Sequence, residues 1–69
     1  MIIKDTKNLG MAIRDHRKSM GLSQRNAAGL CGVGERFLCE LERGKPTAEL
    51  GKMLQVVHRL GLRILLDVQ

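Results

Sequence analysis

The sequence predicts a small all-α domain of four helices that ends in one short strand. Four stretches with apolar residues at helical spacing are separated by glycine-containing turns, and a strongly aliphatic segment follows the last of them. The 69 residues form a single domain, 1–69, and a chain of this length buries so small a core that a partner chain often supplies further burial. Phe37 is the single aromatic residue, which indicates an aliphatic core.

The first two helices are predicted from their caps and their glycine stops. Thr6 can cap a first helix of about residues 7–20, because threonine is a preferred N-cap residue. One face of this helix carries the residues at helical spacing, Leu9, Ile13, Arg17 and Met20. Ser23 caps a second helix of about residues 24–31, and Gly32 ends it.

The third and fourth helices flank a connection at residues 44–46. Gly34 precedes a third helix of about residues 35–43, and Thr47 is predicted to cap the fourth. The fourth helix has an apolar face made of Leu50, Met53, Leu54, Val57 and Leu60. Gly61 stops it.

The segment after Gly61, "LRILLDV" at residues 62–68, has the composition and length of a strand. A lone strand on a helical domain leaves backbone donors and acceptors unpaired, so we expect it to pair antiparallel with its own copy across a two-fold axis. The predicted dimerisation residues are Leu62, Ile64, Leu66 and Val68. Residues 1–4 could add a flanking strand. The alternative is that 62–68 extend the fourth helix.

Composition and charge limit the classes of function. The formal net charge of +5 suits a polyanionic partner without proving one. No apolar run reaches the ~20 residues that a membrane span needs, and the start "MIIKDTK" lacks a secretory apolar region, so we expect a cytoplasmic protein with no membrane partner.

The sequence predicts no catalytic residues, no metal site and no cofactor. Cys31 and Cys39 are too few for a disulfide framework and do not have zinc-ligand spacing, so they are predicted to be buried thiols. His16 and His58 stand alone, and no Ser/His/Asp or paired-carboxylate spacing appears that would support nucleophilic or acid–base chemistry. We therefore do not expect an enzyme.

The stretch from Gln24 to Arg43 has the pattern of a helix-turn-helix. Ala28 is small where two helices cross closely, and Gly32 permits a left-handed turn. The inward positions of the corner are Ala27, Ala28, Cys31, Val33, Leu38 and Leu41.

These residues, in "LSQRNAAGLCGVGERFLCELERGK", resemble the Xre/Cro-type helix-turn-helix regulators. The stretch "RFLCELERGKPTAELGKMLQVVHRLGL" and the strand after it resemble the short HipB-type antitoxins. The resemblance covers the chain from Leu9 to Val68. It implies a lambda-repressor-like domain of four to five helices that forms a homodimer and binds double-stranded DNA at a palindromic operator.

Two charges lie on inward-facing helical positions. Arg17 is on the apolar face of the first helix, and Glu42 follows Leu38 by one turn, so both point toward the interior and should be paired. The similar regulators have an Arg–Glu bridge between these elements. We therefore predict that Arg17 and Glu42 form a structural ion pair, the alternative being two solvated charges.

The corner would hold the third helix out as a ridge that fits the major groove. By the resemblance, the candidate base-reading residues are Glu35, Arg36, Phe37, Cys39 and Glu40. Arg36 could bind guanine O6 and N7, and Glu35 could accept from cytosine N4. Phe37 could contact a thymine methyl or pack on a neighbour. The candidate phosphate contacts are Ser23, Gln24, Arg25, Arg43 and Lys45.

The predicted reading helix departs from its family, because residues 35–43 carry a net charge of −1 where Gln, Ser, Thr and Lys are common. Non-specific attraction would have to come from flanking cations, with Arg14 and Lys18 of the first helix as further candidates. The acidic helix could instead signal a lost DNA site.

The resemblance implies an autorepressing antitoxin with a HipA-like serine/threonine kinase as its toxin. Two other functions stay open: a stand-alone regulator of a phage or restriction system, and a protein-interaction module that has lost DNA binding. RNA binding is disfavoured because one Phe cannot form a stacking platform.

Overall fold

Four helices make up the computed structural model, which describes residues 2–68. They are α1 (Thr6–Ser19), α2 (Gln24–Cys31), α3 (Glu35–Glu42) and α4 (Leu50–Arg59). The all-α prediction is confirmed. Bounds were predicted for α1, α2 and α3, and each observed bound lies within one residue of the predicted one. None of the helices in residues 2–68 is both long and apolar enough to cross a membrane. Met1 and Gln69 lie outside the described residues. They are the two ends of the predicted domain 1–69, and Met1 also begins the possible flanking strand of residues 1–4.

The start of α1 differs from the prediction, because Asp5 caps it and Thr6 is already helical. The Asp5 carboxylate accepts a hydrogen bond from the Asn8 N–H at 2.7 Å. The Thr6 hydroxyl donates instead to the Gly44 carbonyl at 2.7 Å. The residue predicted as a local cap therefore makes a long-range contact with the loop after α3.

The corner between α2 and α3 follows the prediction. The Ser23 hydroxyl accepts from the Asn26 N–H at 3.0 Å and caps α2. Gly32 adopts a φ of +72°, the left-handed conformation that glycine tolerates best. The next N–H, of Val33, donates to the Ala28 carbonyl at 3.0 Å. These bonds end α2 and turn the chain sharply into α3.

The fourth helix begins later than its predicted cap. Thr47 lies in a turn, and Glu49 occupies the N-cap position without a side-chain capping bond, so the prediction of a Thr47 cap was wrong. The helix ends at Arg59, and Gly61 has a φ of +81°. The left-handed Gly61 stops the helix, so residues 62–68 do not extend α4.

The core is aliphatic, as predicted, and draws on all four helices. Its buried members are Ile13, Ala27, Ala28, Cys31, Leu38, Leu41, Val56, Val57 and Leu60. Leu50 and Leu54, predicted for the buried face of α4, are 66% and 45% exposed. The predicted inward position Met20 is 44% exposed. The inner side of α4 is formed mainly by Val56 and Val57, which leaves part of its apolar surface open to solvent.

Residues 62–68 have no secondary structure in the single chain, and no strand occurs in the part that the structure describes. Leu62 packs against the core. Ile64, Leu66 and Val68 are 46%, 93% and 94% exposed. The predicted pairing partner of this strand is a second chain, so dimerisation stays a proposal.

Candidate nucleic-acid interface

The C-terminal end of α3 lies directly against the backbone of α1. A Cβ on Gly10 would lie 2.5 Å from the Leu41 carbonyl oxygen and 2.6 Å from that of Glu42. After α3, Gly44 has a φ of +85°, and a Cβ there would lie 2.6 Å from Lys7 Cα. Only glycine permits either approach without a shift of the backbone. These contacts could not be predicted from the sequence, because the residues around Gly10 and Gly44 carry no information about which distant backbone approaches each glycine.

A buried ion pair joins α1 to α3. Arg17 Nε donates to Glu42 Oε2 at 2.7 Å, and Nη2 donates to Oε1 at 3.1 Å. The two side chains are 9% and 3% exposed, which excludes the alternative of two solvated charges. The hydrogen bonds from Arg17 to Glu42 raise the pKa of Arg17, against the effect of burial. The predicted pair is therefore present and fixes the orientation of α3 on α1.

Two further contacts complete this cluster. Arg17 Nη1 donates to the Leu22 carbonyl at 2.7 Å, and Gln24 Nε2 donates to Glu42 Oε1 at 3.0 Å. The amide of Gln24 was expected to face a DNA phosphate, whereas one of its N–H groups binds Glu42. The backbone N–H groups of Gln24 and Arg25 have no acceptor within residues 2–68. The first turn of α2 therefore still offers donors to a ligand.

The exposed side of α3 borders a shallow concavity of about 500 Å³. Its lining residues are Gln24, Glu35, Arg36, Cys39, Glu40 and Arg43. The Arg36 side chain is 94% exposed. The structure thus brings together four of the five predicted base-reading residues and two of the predicted phosphate contacts on one surface. We call this surface the α3 face.

Phe37 is not part of the α3 face. It packs against the hydrophobic core, and Lys52 Nζ of α4 lies 5.7 Å from its ring centroid. Of its two predicted roles, packing on a neighbour is the one that the structure supports. The reason is helical geometry, since Phe37 lies four residues before the buried Leu41 and therefore shares its side of the helix.

Glu40 is engaged by two of the candidate DNA-binding cations. Its Oε2 accepts from Lys45 Nζ at 2.7 Å, and its Oε1 lies 3.6 Å from Arg36 Nε. The hydrogen bond from Lys45 lowers the pKa of the Glu40 carboxyl, and Arg36 and Arg43 add to this effect. The i, i+4 spacing of Arg36 and Glu40 was visible in the sequence, but the return of Lys45 depends on the turn after α3.

The two thiols differ in exposure. Cys31 is fully buried, as predicted, and burial raises its pKa. Cys39 is only partly buried, so the prediction of two buried thiols was wrong for this residue. Both are free.

Arg25, a predicted phosphate contact, is exposed on the first turn of α2, outside the α3 face.

Comparison with known proteins agrees with this geometry. The helix-turn-helix domain family matches residues 5–69. The uncharacterized HTH-type transcriptional regulator y4mF of Sinorhizobium fredii is 48% identical over 62 residues, which cover 90% of this chain and 82% of that protein. Proteins of this kind are regulators and not enzymes.

Solved structures show the same fold. A HipB–O4 20mer complex and a HipA–HipB–O2–O3 complex each match with a TM-score of 0.88 at 19% identity, covering 99% of this chain and 96% of theirs. The resemblance to HipB-type proteins is thereby confirmed for the fold. The chain belongs to the helix-turn-helix domain family and is a DNA-binding transcriptional regulator.

Proposed function

We propose that this protein is a dimeric, sequence-specific repressor that reads a palindromic operator with α3. The observation that carries the proposal is the α3 face, on which a 94% exposed Arg36 stands on a helix fixed by a buried Arg17–Glu42 pair. The major groove of B-DNA admits one α-helix and offers each base pair a distinct pattern of donors and acceptors. A rigid helix with exposed charged ends suits that groove.

The residues of the α3 face have separate proposed roles. Arg36 donates to guanine O6 and N7, and Glu35 accepts from cytosine N4. Cys39 lies at the centre of the face, where a small side chain lets the helix approach the bases closely. The phosphate contacts are proposed for Ser23, Gln24, Arg25, Arg43 and Lys45.

Dimerisation is proposed from the apolar surface that the single chain leaves open. Ile64, Leu66 and Val68 are exposed, and Ile64 shares a groove with Leu54 of α4. Pairing of residues 62–68 between two chains would satisfy their backbone groups and cover this surface. The two α3 helices would then enter successive major grooves, about 34–36 Å apart or a multiple of that spacing.

The regulator is further proposed to be an antitoxin that represses its own operon. Its fold matches HipB over 99% of the chain, including the HipB of a complex with HipA. A HipA-like toxin is the corresponding partner. A stand-alone regulator is the second candidate, since the relative at 48% identity carries the name of a transcriptional regulator alone.

Fluorescence anisotropy with the DNA immediately upstream of the gene tests the proposal. The full chain is titrated against labelled upstream duplex, with random duplex as competitor, at two salt concentrations. We expect tight, salt-dependent binding with one dimer per palindrome. Binding no tighter than to random DNA would contradict an operator at this locus.

The variant Ile64→Lys tests the dimer. A charge in the paired strand should give a monomer by sedimentation, and operator affinity should fall by about 10²–10⁴-fold because two linked half-sites bind far better than one. Leu30→Lys, which adds the same charge at an exposed apolar position of α2 outside the groove of Leu54 and Ile64, serves as the control. A variant that still sediments as a dimer would refute pairing through residues 62–68.

Co-expression with the neighbouring gene separates the two candidates. If that gene encodes a HipA-like kinase, the antitoxin reading predicts co-elution of both chains at a defined ratio. A neighbouring gene of another class, or a kinase that elutes alone, would favour the stand-alone regulator.

A further inference from the structure

A second concavity, of about 330 Å³, adjoins the α3 face on the side of α1. The two concavities share Gln24, Cys39 and Arg43 as lining residues. Arg14 and Lys18 of α1 complete its rim. These two residues are four apart and therefore lie on the same side of the helix. A double helix whose groove receives α3 would pass its sugar-phosphate backbone over this rim.

The carboxylate that lines this concavity, Glu42, does not neutralise the cations of the rim, because it is paired with Arg17. The Glu42 carboxylate accepts two bonds from Arg17 and one from Gln24, and its charge is balanced by Arg17. Within residues 2–68, no carboxylate lies at ion-pair distance from Arg14, Lys18 or Arg43. All three side chains are exposed. The rim is thus a group of three unpaired positive charges beside the reading helix.

The α3 face has the opposite balance. Its cations Arg36 and Arg43 are matched in number by the carboxylates of Glu35 and Glu40, and Glu40 also binds Lys45 of the loop after α3. Association with DNA draws its sequence-independent free energy from cations that displace counterions from phosphates. The α3 face as a whole therefore has no net charge for this task, whereas Arg14 and Lys18 add two uncompensated positive charges beside the shared Arg43.

We infer that Arg14, Lys18 and Arg43 form a phosphodiester-binding site that supplies the main non-specific attraction to duplex DNA. The site rests on the proposed function, because it assumes that α3 enters the major groove. It assigns attraction and base selection to different surfaces. Arg14, Lys18 and Arg43 hold the backbone, and α3 selects the sequence.

The test is the salt dependence of DNA binding by the double variant Arg14→Gln/Lys18→Gln. Anisotropy is recorded over a series of salt concentrations with random duplex and with the upstream duplex. Loss of two phosphate contacts should reduce the slope of log K against log salt by about 1.8, from about 0.9 per contact. Both duplexes should lose affinity by the same factor, so their ratio stays at the wild-type value.

The matched control is Lys52→Gln/Arg59→Gln, which removes the same charge from exposed positions on α4. We expect its slope to stay at the wild-type value. The charge-retaining variant Arg14→Lys/Lys18→Arg should keep the wild-type slope, which separates charge from side-chain shape. An unchanged slope in the Arg14→Gln/Lys18→Gln variant, or an equal loss in the control, would overturn the inference.

The outcomes for this site and for the proposed function are distinguishable. The slope on random duplex measures phosphate contacts whether or not an operator exists. A wild-type protein without preference for upstream DNA contradicts the operator, while the slope still decides the site.

Discussion

Two glutamates on α3, two residues apart, form ion pairs of opposite character. The Glu42 side chain is 3% exposed and accepts a bidentate pair from Arg17, whereas Glu40 is 32% exposed and contacts Lys45 and Arg36. The partner of Glu42 comes from another helix, α1. The partners of Glu40 come from α3 itself and from the loop that follows it. The Glu42 ion pair therefore links two helices, whereas the Glu40 ion pairs lie on the surface of α3 and its following loop.

The position of α3 and the charge on its exposed side therefore depend on different residues, Glu42 for the position and Glu40 for the charge. A buried carboxylate that loses its partner is costly, so the Glu42 cluster fixes where α3 stands. An exposed pair contributes little stability, because water screens it, so the Glu40 cluster is free to change when DNA arrives. On the proposed function, a substitution of Glu40 should change DNA binding without destabilising the fold.

The largest expected effect is on stability, from Glu42→Gln. This variant leaves the buried Arg17 guanidinium without a countercharge, and we expect the free energy of unfolding to fall by about 3–5 kcal/mol. Urea unfolding followed by circular dichroism measures it. Glu40→Gln is the matched control, and its unfolding curve should stay close to wild type. Equal losses in the two variants would break the distinction between the clusters.

A second effect concerns the backbone contact beside the Glu42 cluster. In Gly10→Ala, the added Cβ meets the Leu41 and Glu42 carbonyl oxygens at 2.5 and 2.6 Å. The forced separation should cost about 1–3 kcal/mol, more than the helix propensity gained. Gly51→Ala, on α4, meets no atom within 4 Å and should gain about 0.5–1 kcal/mol. Thermal melts of both variants measure the contrast, and a stabilised Gly10→Ala protein would refute the close approach.

The smallest expected effect is on DNA affinity, from Glu40→Gln. The change releases Arg36 and Lys45 and removes a negative charge from the α3 face, so affinity for random duplex should rise severalfold. Affinity for the operator should rise less, because Arg36 is already engaged by its base there. Anisotropy with both duplexes measures the two changes. A rise confined to the operator would contradict the role of Glu40.

Acid should act in the same direction as Glu40→Gln. The pKa of Glu40 is lowered in the folded chain by the Lys45 hydrogen bond, so its pair stabilises the fold above the unfolded-state pKa of that carboxyl. The contribution is lost as the pH falls through the lowered value. Because the carboxylate is neutralised only there, DNA binding near neutral pH should not change on this account. A change in random-duplex affinity between pH 6 and 8 that Glu40→Gln abolishes would contradict it.

Local chemistry made much of the fold predictable. Ser23 caps α2 and Gly32 turns the chain because each acts on neighbours within a few residues, where sequence rules apply. The inward helical positions of Arg17 and Glu42 predicted that each charge needs a partner, and the resemblance implied that they pair with each other. These three predictions depend on spacing along one helix or one turn.

Predictions failed where a distant segment competed for the same group. The Thr6 hydroxyl binds the Gly44 carbonyl across the fold, so Asp5 takes the cap. The contact of Glu40 with Lys45 was not predicted, because it depends on the path of the chain after α3, and base contact by Glu40 stays a prediction. Phe37 had two predicted roles, and the choice of packing over base contact depends on the core that the other helices supply. The exposed residues of α3 were otherwise predicted from helical period alone.

The most direct measurement is the base-pair preference of Arg36→Ala on the operator. Affinities of wild type and variant are compared over a set of operators with single base-pair changes, with Lys45→Ala as the phosphate-contact control. We expect Arg36→Ala to lose about 1–3 kcal/mol of discrimination at one base pair in each half-site, and Lys45→Ala to weaken binding to all sequences alike. Equal losses on every operator and on random DNA for Arg36→Ala would contradict base reading by α3.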